Sequence, residues 1–165
     1  MRLFLGSFAT IYNYEDIKNE LSKYFEGKWV EPQNIHMTFH FFGDISNPSK
    51  IIESLDGIEY PKRTFKLKRY GTFGRPPKVL FAECKDKEIY RLYEDIEKRV
   101  AIASQKPFIP HVTLMRIKKT NGGKSFLKYF EKTRYKILGE MKLRLCLVSS
   151  TLTPEGPIYR TIHTF

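Results

Sequence analysis

Two tetrapeptides in this chain carry the same pair of reactive side chains at the same spacing, His36-Met37-Thr38-Phe39 and His111-Val112-Thr113-Leu114. Each lies in a stretch of strand composition. Side chains two apart on a strand share a face, so each copy presents an imidazole and a hydroxyl side by side while Met37 or Val112 turns the other way. Two imidazoles and two hydroxyls suit phosphodiester cleavage. That reaction needs a base to take a proton from the attacking oxygen and an acid to protonate the departing one, and histidine serves both roles near neutral pH. One imidazole on each side of a phosphorus would supply the pair. Each Thr hydroxyl could donate a hydrogen bond to a non-bridging oxygen, where charge accumulates in the transition state. The scheme requires neither a metal nor a cofactor.

The elements that must position these motifs follow from hydrophobic periodicity. Residues 2–9 read as a strand, followed by a helix from Tyr14 to Phe25 with Ile17, Leu21 and Tyr24 on its apolar face and Asn13 placed to cap it. Residues 35–43 return to strand character, and Pro48 suits the start of a short helix through Leu55. Thr64–Tyr70 and Val79–Cys84 read as strands around a Gly74-Arg75-Pro76-Pro77 turn. From Asp86 to Ala103, the spacing of Ile89, Leu92, Tyr93, Ile96, Val100 and Ala103 predicts an amphipathic helix. His111–Lys118 is a strand and Ser125–Phe130 a brief helix, and the C-terminal third reads as strands over Tyr135–Leu138, Met141–Thr151 and Ile158–Phe165. No linker interrupts the pattern, which predicts one domain over residues 1–165.

Composition bounds the partners. The 165 residues hold 29 Lys and Arg against 18 Asp and Glu, a formal net charge of +11. With 13 Phe, 10 Tyr and one Trp spread along the chain, this is the charge of a folded protein rather than a disordered tail, and it points to a polyanion, with nucleic acid first. The segment Lys62-Arg63-Thr64-Phe65-Lys66-Leu67-Lys68-Arg69-Tyr70 interleaves cations with aromatics, which suits backbone contact and base stacking and equally suits an ordinary amphipathic strand. No apolar run approaches the ~18–20 residues that span a bilayer, and the opening has no signal-peptide layout, so a cytoplasmic protein without a membrane partner is expected. Cys84 and Cys146 are too few for a disulfide framework or a cysteine zinc site and read as buried thiols. His36 and His40 have an H-x-x-x-H spacing, but on a strand they stand ~13 Å apart, too far to share an ion.

Beyond the two tetrapeptides, Arg2-Leu3-Phe4-Leu5, the run from Trp29 to Ile35, Phe42-Gly43-Asp44 and Phe73 with Arg75 to Phe81 form a recognisable set. So do Pro107 to Leu114 with Arg116, and Ser149 to Pro154 with Gly156 and Tyr159. Together they resemble the two-histidine phosphoesterases, and within them the RNA 2′,3′-cyclic phosphodiesterases, historically called 2′-5′ RNA ligases. The resemblance covers nearly the whole chain. It implies an α+β, bilobal fold in which two sheet-plus-helix lobes are related by a pseudo-two-fold axis across a central cleft. It implies hydrolysis of an RNA 2′,3′-cyclic phosphate end to a 2′-phosphate without metal or cofactor, by a monomer with no obligate protein partner. His36 would be the proton donor and His111 the proton acceptor, Thr38 and Thr113 would hold the phosphate, and exchanged roles would run the joining reaction.

Two further positions are candidates for substrate binding. Where many relatives carry Arg or Lys four residues after the first His, this chain has His40, which a regular strand would place beside His36 and Thr38, with strand-end packing as its competing role. Arg116 is turned away by strict alternation from His111, and a bulge or the strand end would be needed to bring it back. Two alternatives stand beside the main expectation, a protein that binds RNA ends without turnover and a two-histidine phosphoesterase acting on another nucleotide cyclic phosphate. A matched acid and base favours an enzyme.

Overall fold

A computed structural model describes residues 1–100 and 107–165. The chain begins with β1 (Arg2–Phe8), β2 (Thr10–Ile11), α1 (Tyr14–Leu21), β3 (Phe25–Trp29) and β4 (His36–Asp44). Then follow α2 (Ser49–Leu55), β5 (Thr64–Phe73), β6 (Val79–Glu83) and α3 (Lys87–Val100). The remainder is β7 (His111–Thr120), α4 (Phe126–Lys132), β8 (Ile137–Lys142), β9 (Cys146–Thr153) and β10 (Gly156–Thr164). Ala103 of the expected long helix lies outside the described residues.

All strand pairings are antiparallel, in the order β10-β9-β1-β4-β7-β6-β5-β8-β2, with β3 also on β7. The order divides into two four-stranded halves, β10-β9-β1-β4 and β7-β6-β5-β8, each with a His-x-Thr strand at its inner edge. This is the expected bilobal α+β architecture. The halves correspond further, because β1 reaches β4 through α1 as β6 reaches β7 through α3. Apolar faces of both helices, with Ile17 and Leu21 on one and Ile89, Leu92 and Ile96 on the other, pack in one core with Met37, Phe39, Val112 and Leu114. The helices therefore cover the side of the sheet that Met37 and Val112 face, and the other side is left to the cleft.

Met37↔Val112 is the one registered pair joining β4 to β7. Beyond it the lobes part, because β3 occupies the edge of β7 from Met115 to Thr120, and the Val30 amide donates to Leu114 O at 2.8 Å just where the two edges meet. The buried Tyr14 hydroxyl braces this wedge by donating to Val30 O at 2.7 Å, and it also lies 3.2 Å from Leu114 O. β3 carries no alternating pattern, its middle residues Glu26, Gly27 and Lys28 all being exposed, so the sequence assigns Phe25 to the preceding helix. That helix stops at Leu21, and Asn13 precedes it in a left-handed conformation with no side-chain cap.

The crossing from lobe to lobe also departs from expectation. Leu143 and Leu145 continue the apolar alternation and are buried, but they belong to neither flanking strand. Their amides find partners outside the ladder, Leu143 on Arg63 O at 3.1 Å and Leu145 on the Tyr60 hydroxyl at 3.2 Å, with Arg144 N on the buried Ser7 Oγ at 3.1 Å. Periodicity reads burial; it cannot tell a ladder from a buried crossing.

The wedge depends on close approach. A Cβ on Gly27 would collide with the Arg116 carbonyl. Gly27→Ala should lower unfolding stability by about 1–3 kcal/mol through forced backbone displacement, read from the denaturant midpoint; an unchanged midpoint would show that β3 yields freely.

Candidate active site

The site begins with register. Against β1, β4 pairs His36 with Phe8, Met37 with Ser7 and Thr38 with Gly6, then skips Phe39 to place His40 opposite Leu5. Against β6, β7 pairs His111 with Glu83, Val112 with Ala82 and Thr113 with Phe81, then skips Leu114 to place Met115 opposite Leu80. Each motif thus ends in a β-bulge at its fourth residue, and the extra residue reverses the alternation beyond it. Phe39 and His40 are both buried, as are Leu114 and Met115, after which Phe41 and Arg116 are exposed.

The duplicated bulge decides the two candidates that simple alternation left open. Arg116 returns to the face of His111 and Thr113. His40 is turned away from the cleft: it is 6 % exposed, and its Nδ1 lies 2.8 Å from Glu97 Oε1 on α3. The expectation that His40 assists phosphate binding is therefore corrected, because the bulge at Phe39 puts it on the helix side of the sheet. Nor can it share a metal with His36, and among the described residues no three His, Cys, Asp or Glu side chains gather to hold one.

Because Met37 and Val112 oppose each other in antiparallel sense, His36 lies toward Thr113 and Thr38 toward His111, with all four side chains on the face opposite Met37 and Val112. The imidazoles are held alike. Nδ1 of His36 lies 2.7 Å from Asn34 O and Nδ1 of His111 lies 2.6 Å from Ile109 O, in each case the carbonyl two residues earlier. A carbonyl can only accept, so Nδ1 carries the proton in the neutral ring and Nε2 is left to gain or lose one. Both carbonyls precede the strand, Asn34 closing the turn Pro32–Asn34 and Ile109 standing before Pro110. Asn34 is in turn anchored by its Nδ2, which donates to Pro157 O at 3.1 Å.

Aromatic walls complete the geometry. His36 stacks on Phe4 at 4.7 Å between ring centroids and meets Tyr159 edge-on at 5.1 Å. His111 meets Phe73 edge-on at 4.9 Å and lies 5.3 Å from Phe81. Gly71 opposite Phe81 is required here, since a Cβ would run into that ring. Burial pushes both imidazoles below the ordinary value of 6.5. They differ in what surrounds them. After burial and its carbonyl, His36 next feels the repulsion of His111, whereas His111 is supported by the Glu83 carboxylate. Burial pushes the Tyr159 hydroxyl up, and the charges of Arg116 and Arg2 oppose this, so the Arg116 cation of one lobe reaches the ring that walls His36 in the other.

Sequence reasoning finds the four motif residues and includes Phe73 and Tyr159 only within segments of family resemblance. Phe81 likewise enters only within such a segment, and Glu83 is missed, although strand parity carries the signal, since the residue directly opposite His111 must share its face.

Paired half-sheets with a His-x-Thr strand at each inner edge define a two-histidine phosphoesterase. Residues 13–81 match the LigT like phosphoesterase family. The chain is 35 % identical to the RNA 2′,3′-cyclic phosphodiesterase of Aquifex aeolicus, over 92 % of this chain and 87 % of that protein. It is 31 % identical to the protein of that name from Methanocaldococcus jannaschii, over 98 % of each. Among solved structures, Escherichia coli LigT superposes with a TM-score of 0.71 at 21 % identity, covering 99 % of this chain and 95 % of that one. A Thermus thermophilus protein gives 0.67 at 23 % identity, covering 100 % and 97 %. The chain belongs to the LigT-like family of two-histidine phosphoesterases.

The placement of His40 has a measurable consequence. His40→Ala removes a buried side chain that packs on Phe42 and meets Glu97 and should lower stability by about 1–3 kcal/mol while kcat changes little; a large loss of kcat at full stability would return His40 to the site.

Proposed function

We propose that this protein hydrolyses RNA 2′,3′-cyclic phosphate ends to 2′-phosphate ends, with His36 as general acid and His111 as general base, and that residues 1–165 act as one two-lobed catalytic unit. The observation that carries the proposal is the Met37↔Val112 bridge, which sets two identically tethered imidazoles, each with a free Nε2, on one face of the sheet. Nε2 of His111 takes a proton from water as its oxygen attacks phosphorus. Nε2 of His36 gives a proton to the 3′ oxygen as the P–O3′ bond breaks. Thr38 and Thr113 donate hydrogen bonds to the non-bridging oxygens, and Arg116 adds positive charge on the same face.

The surroundings favour this direction of proton flow. During the step, positive charge leaves His36 and appears on His111. Burial disfavours both imidazoliums, and the Glu83 carboxylate supports only the one that forms on His111, so this difference helps the transition state more than the ground state. With roles exchanged, the same pair supports joining of ends through a 2′-5′ linkage. The proposal includes action without metal, cofactor or obligate protein partner, as a cytoplasmic monomer.

Incubation with a short RNA carrying a cyclic phosphate end, in excess EDTA, should yield the 2′-phosphate. His36→Ala and His111→Ala should each lower kcat by about 10²–10⁴-fold, and Thr38→Ala or Thr113→Ala by about 10²-fold. A 3′-phosphate product, or activity surviving either His substitution, would sink the assignment.

Because both imidazoles sit below 6.5 in the free protein and the productive form holds one proton between them, kcat/KM should peak on the acid side of that value and fall as pH rises and the acid is lost. A bound phosphate anion favours the imidazolium, so kcat should persist to higher pH than kcat/KM. A kcat/KM still climbing above neutrality would contradict this.

A further inference from the structure

A basic groove begins beside His111 and runs away from the histidine pair across the second lobe. One register row defines it: His111 pairs with Glu83, Glu83 with Lys68 and Lys68 with Ile137. Directly opposed residues in antiparallel strands share a face, and three strand spacings of ~4.8 Å carry the row about 14 Å from the site. The groove encloses about 430 Å³, and six Lys and Arg side chains line it against two carboxylates. Glu83 links it to the environment of His111.

Three features distinguish the groove from an ordinary solvated face. Arg69 occupies the left-handed region at φ 63° in a β-bulge, where the register skips from Lys68 to Tyr70. That conformation is strained for a residue with a side chain, and its result is that Lys68 and Arg69, consecutive in sequence, are both exposed. Neither makes an ion pair among the described residues, in contrast to Arg63, which is held by Asp86 at 3.1 Å and Glu88 at 2.8 Å. At the far end Tyr135 is 77 % exposed, with the Arg134 guanidinium 4.7 Å from its ring centroid. Unpaired cations followed by an open aromatic ring are what a single-stranded nucleic acid requires, since phosphates track the charges and a base stacks on the ring.

We propose that this groove binds the RNA strand on the 5′ side of the cyclic phosphate, with Lys68 and Arg69 on its backbone and Tyr135 beneath one of its bases. This rests on the reading of the histidine site as an RNA-end phosphodiesterase and extends it from the reacting phosphate to the strand behind it. The two lobes divide the substrate. Around His36 the first lobe offers the rings of Phe4, Phe8 and Tyr159, and the cationic row belongs to the second. The groove makes the enzyme sensitive to length, favouring oligonucleotides over mononucleotide cyclic phosphates.

The test compares a cyclic-phosphate RNA of about ten residues with a dinucleotide carrying the same end, a length chosen to reach beyond one groove. Binding is followed by fluorescence anisotropy and turnover by product release. The longer RNA should have the lower KM, and its binding should weaken more steeply with salt, by a slope of about 0.7 for each added phosphate contact. Lys68→Ala with Arg69→Gly should erase most of that advantage, the glycine relieving the left-handed strain so that misfolding does not account for the loss. Tyr135→Ala, at an open surface position, should weaken binding of the longer RNA about tenfold. The pair Lys50→Ala with Lys98→Ala removes the same charge on the helix side and should change the advantage little. An advantage that is absent, that survives the groove substitutions, or that falls equally with the helix-side pair overturns the proposal. If neither RNA is hydrolysed but the longer one still binds through Lys68, Arg69 and Tyr135, the groove stands and the catalytic reading falls.

Discussion

The site depends on one point of contact between two half-sheets, Met37 facing Val112. Neither residue has reactive chemistry. Both are fully buried among the helices, and strand alternation then obliges His36, Thr38, His111 and Thr113 to turn to the opposite side. A core contact thus fixes the arrangement of the four motif side chains: with Met37 and Val112 anchored, the two motifs cannot slip by a residue without placing a His or Thr in the core. The lobes diverge because β3 takes the remaining edge of β7, so the same pairing scheme that joins the motifs opens space for a substrate.

The bulges at Phe39 and Leu114 add the second constraint. They make each motif a short unit whose parity ends after four residues, and in doing so they send Arg116 to the cleft and His40 to Glu97. The tethering of both imidazoles through Nδ1 to the carbonyl two residues back follows from the same local geometry, since each motif begins its strand immediately after a turn or a proline-bounded connection. Two halves of unlike sequence converge on this construction. Their differences are electrostatic: Glu83 stands opposite His111, whereas Phe8 stands opposite His36.

Much of this is legible in the sequence. The His-Thr pairs, their strand setting, α3, and the division into sheet and helix segments follow from spacing and periodicity, which report what a strand or helix buries. What escapes has a common physical cause. Simple alternation misplaces His40 and leaves Arg116 open because one inserted residue reverses the pattern, and no local composition announces a bulge at Phe39 or Leu114. β3 escapes because an edge strand with Gly27 at its centre buries little of its own and forms only where β7 offers an edge. Leu143 and Leu145 read as a strand because their burial alternates, whereas their amides are satisfied outside any ladder by Arg63 and Tyr60, distant in sequence. The family resemblance supplies the lobes and the pseudo-symmetry, which periodicity alone does not order in space.

Two half-buried imidazoles, each with its proton fixed on Nδ1, share one site and titrate as a coupled pair. Long-range ¹H–¹⁵N correlation spectra of the histidine rings across pH, with and without inorganic phosphate, test it directly. The account predicts Nδ1–H tautomers for His36 and His111 when neutral, titration of both below 6.5 with each curve responding to the other, and an upward shift of both when phosphate binds. Nε2–H tautomers, or two independent titrations at the ordinary value that phosphate leaves in place, would contradict it.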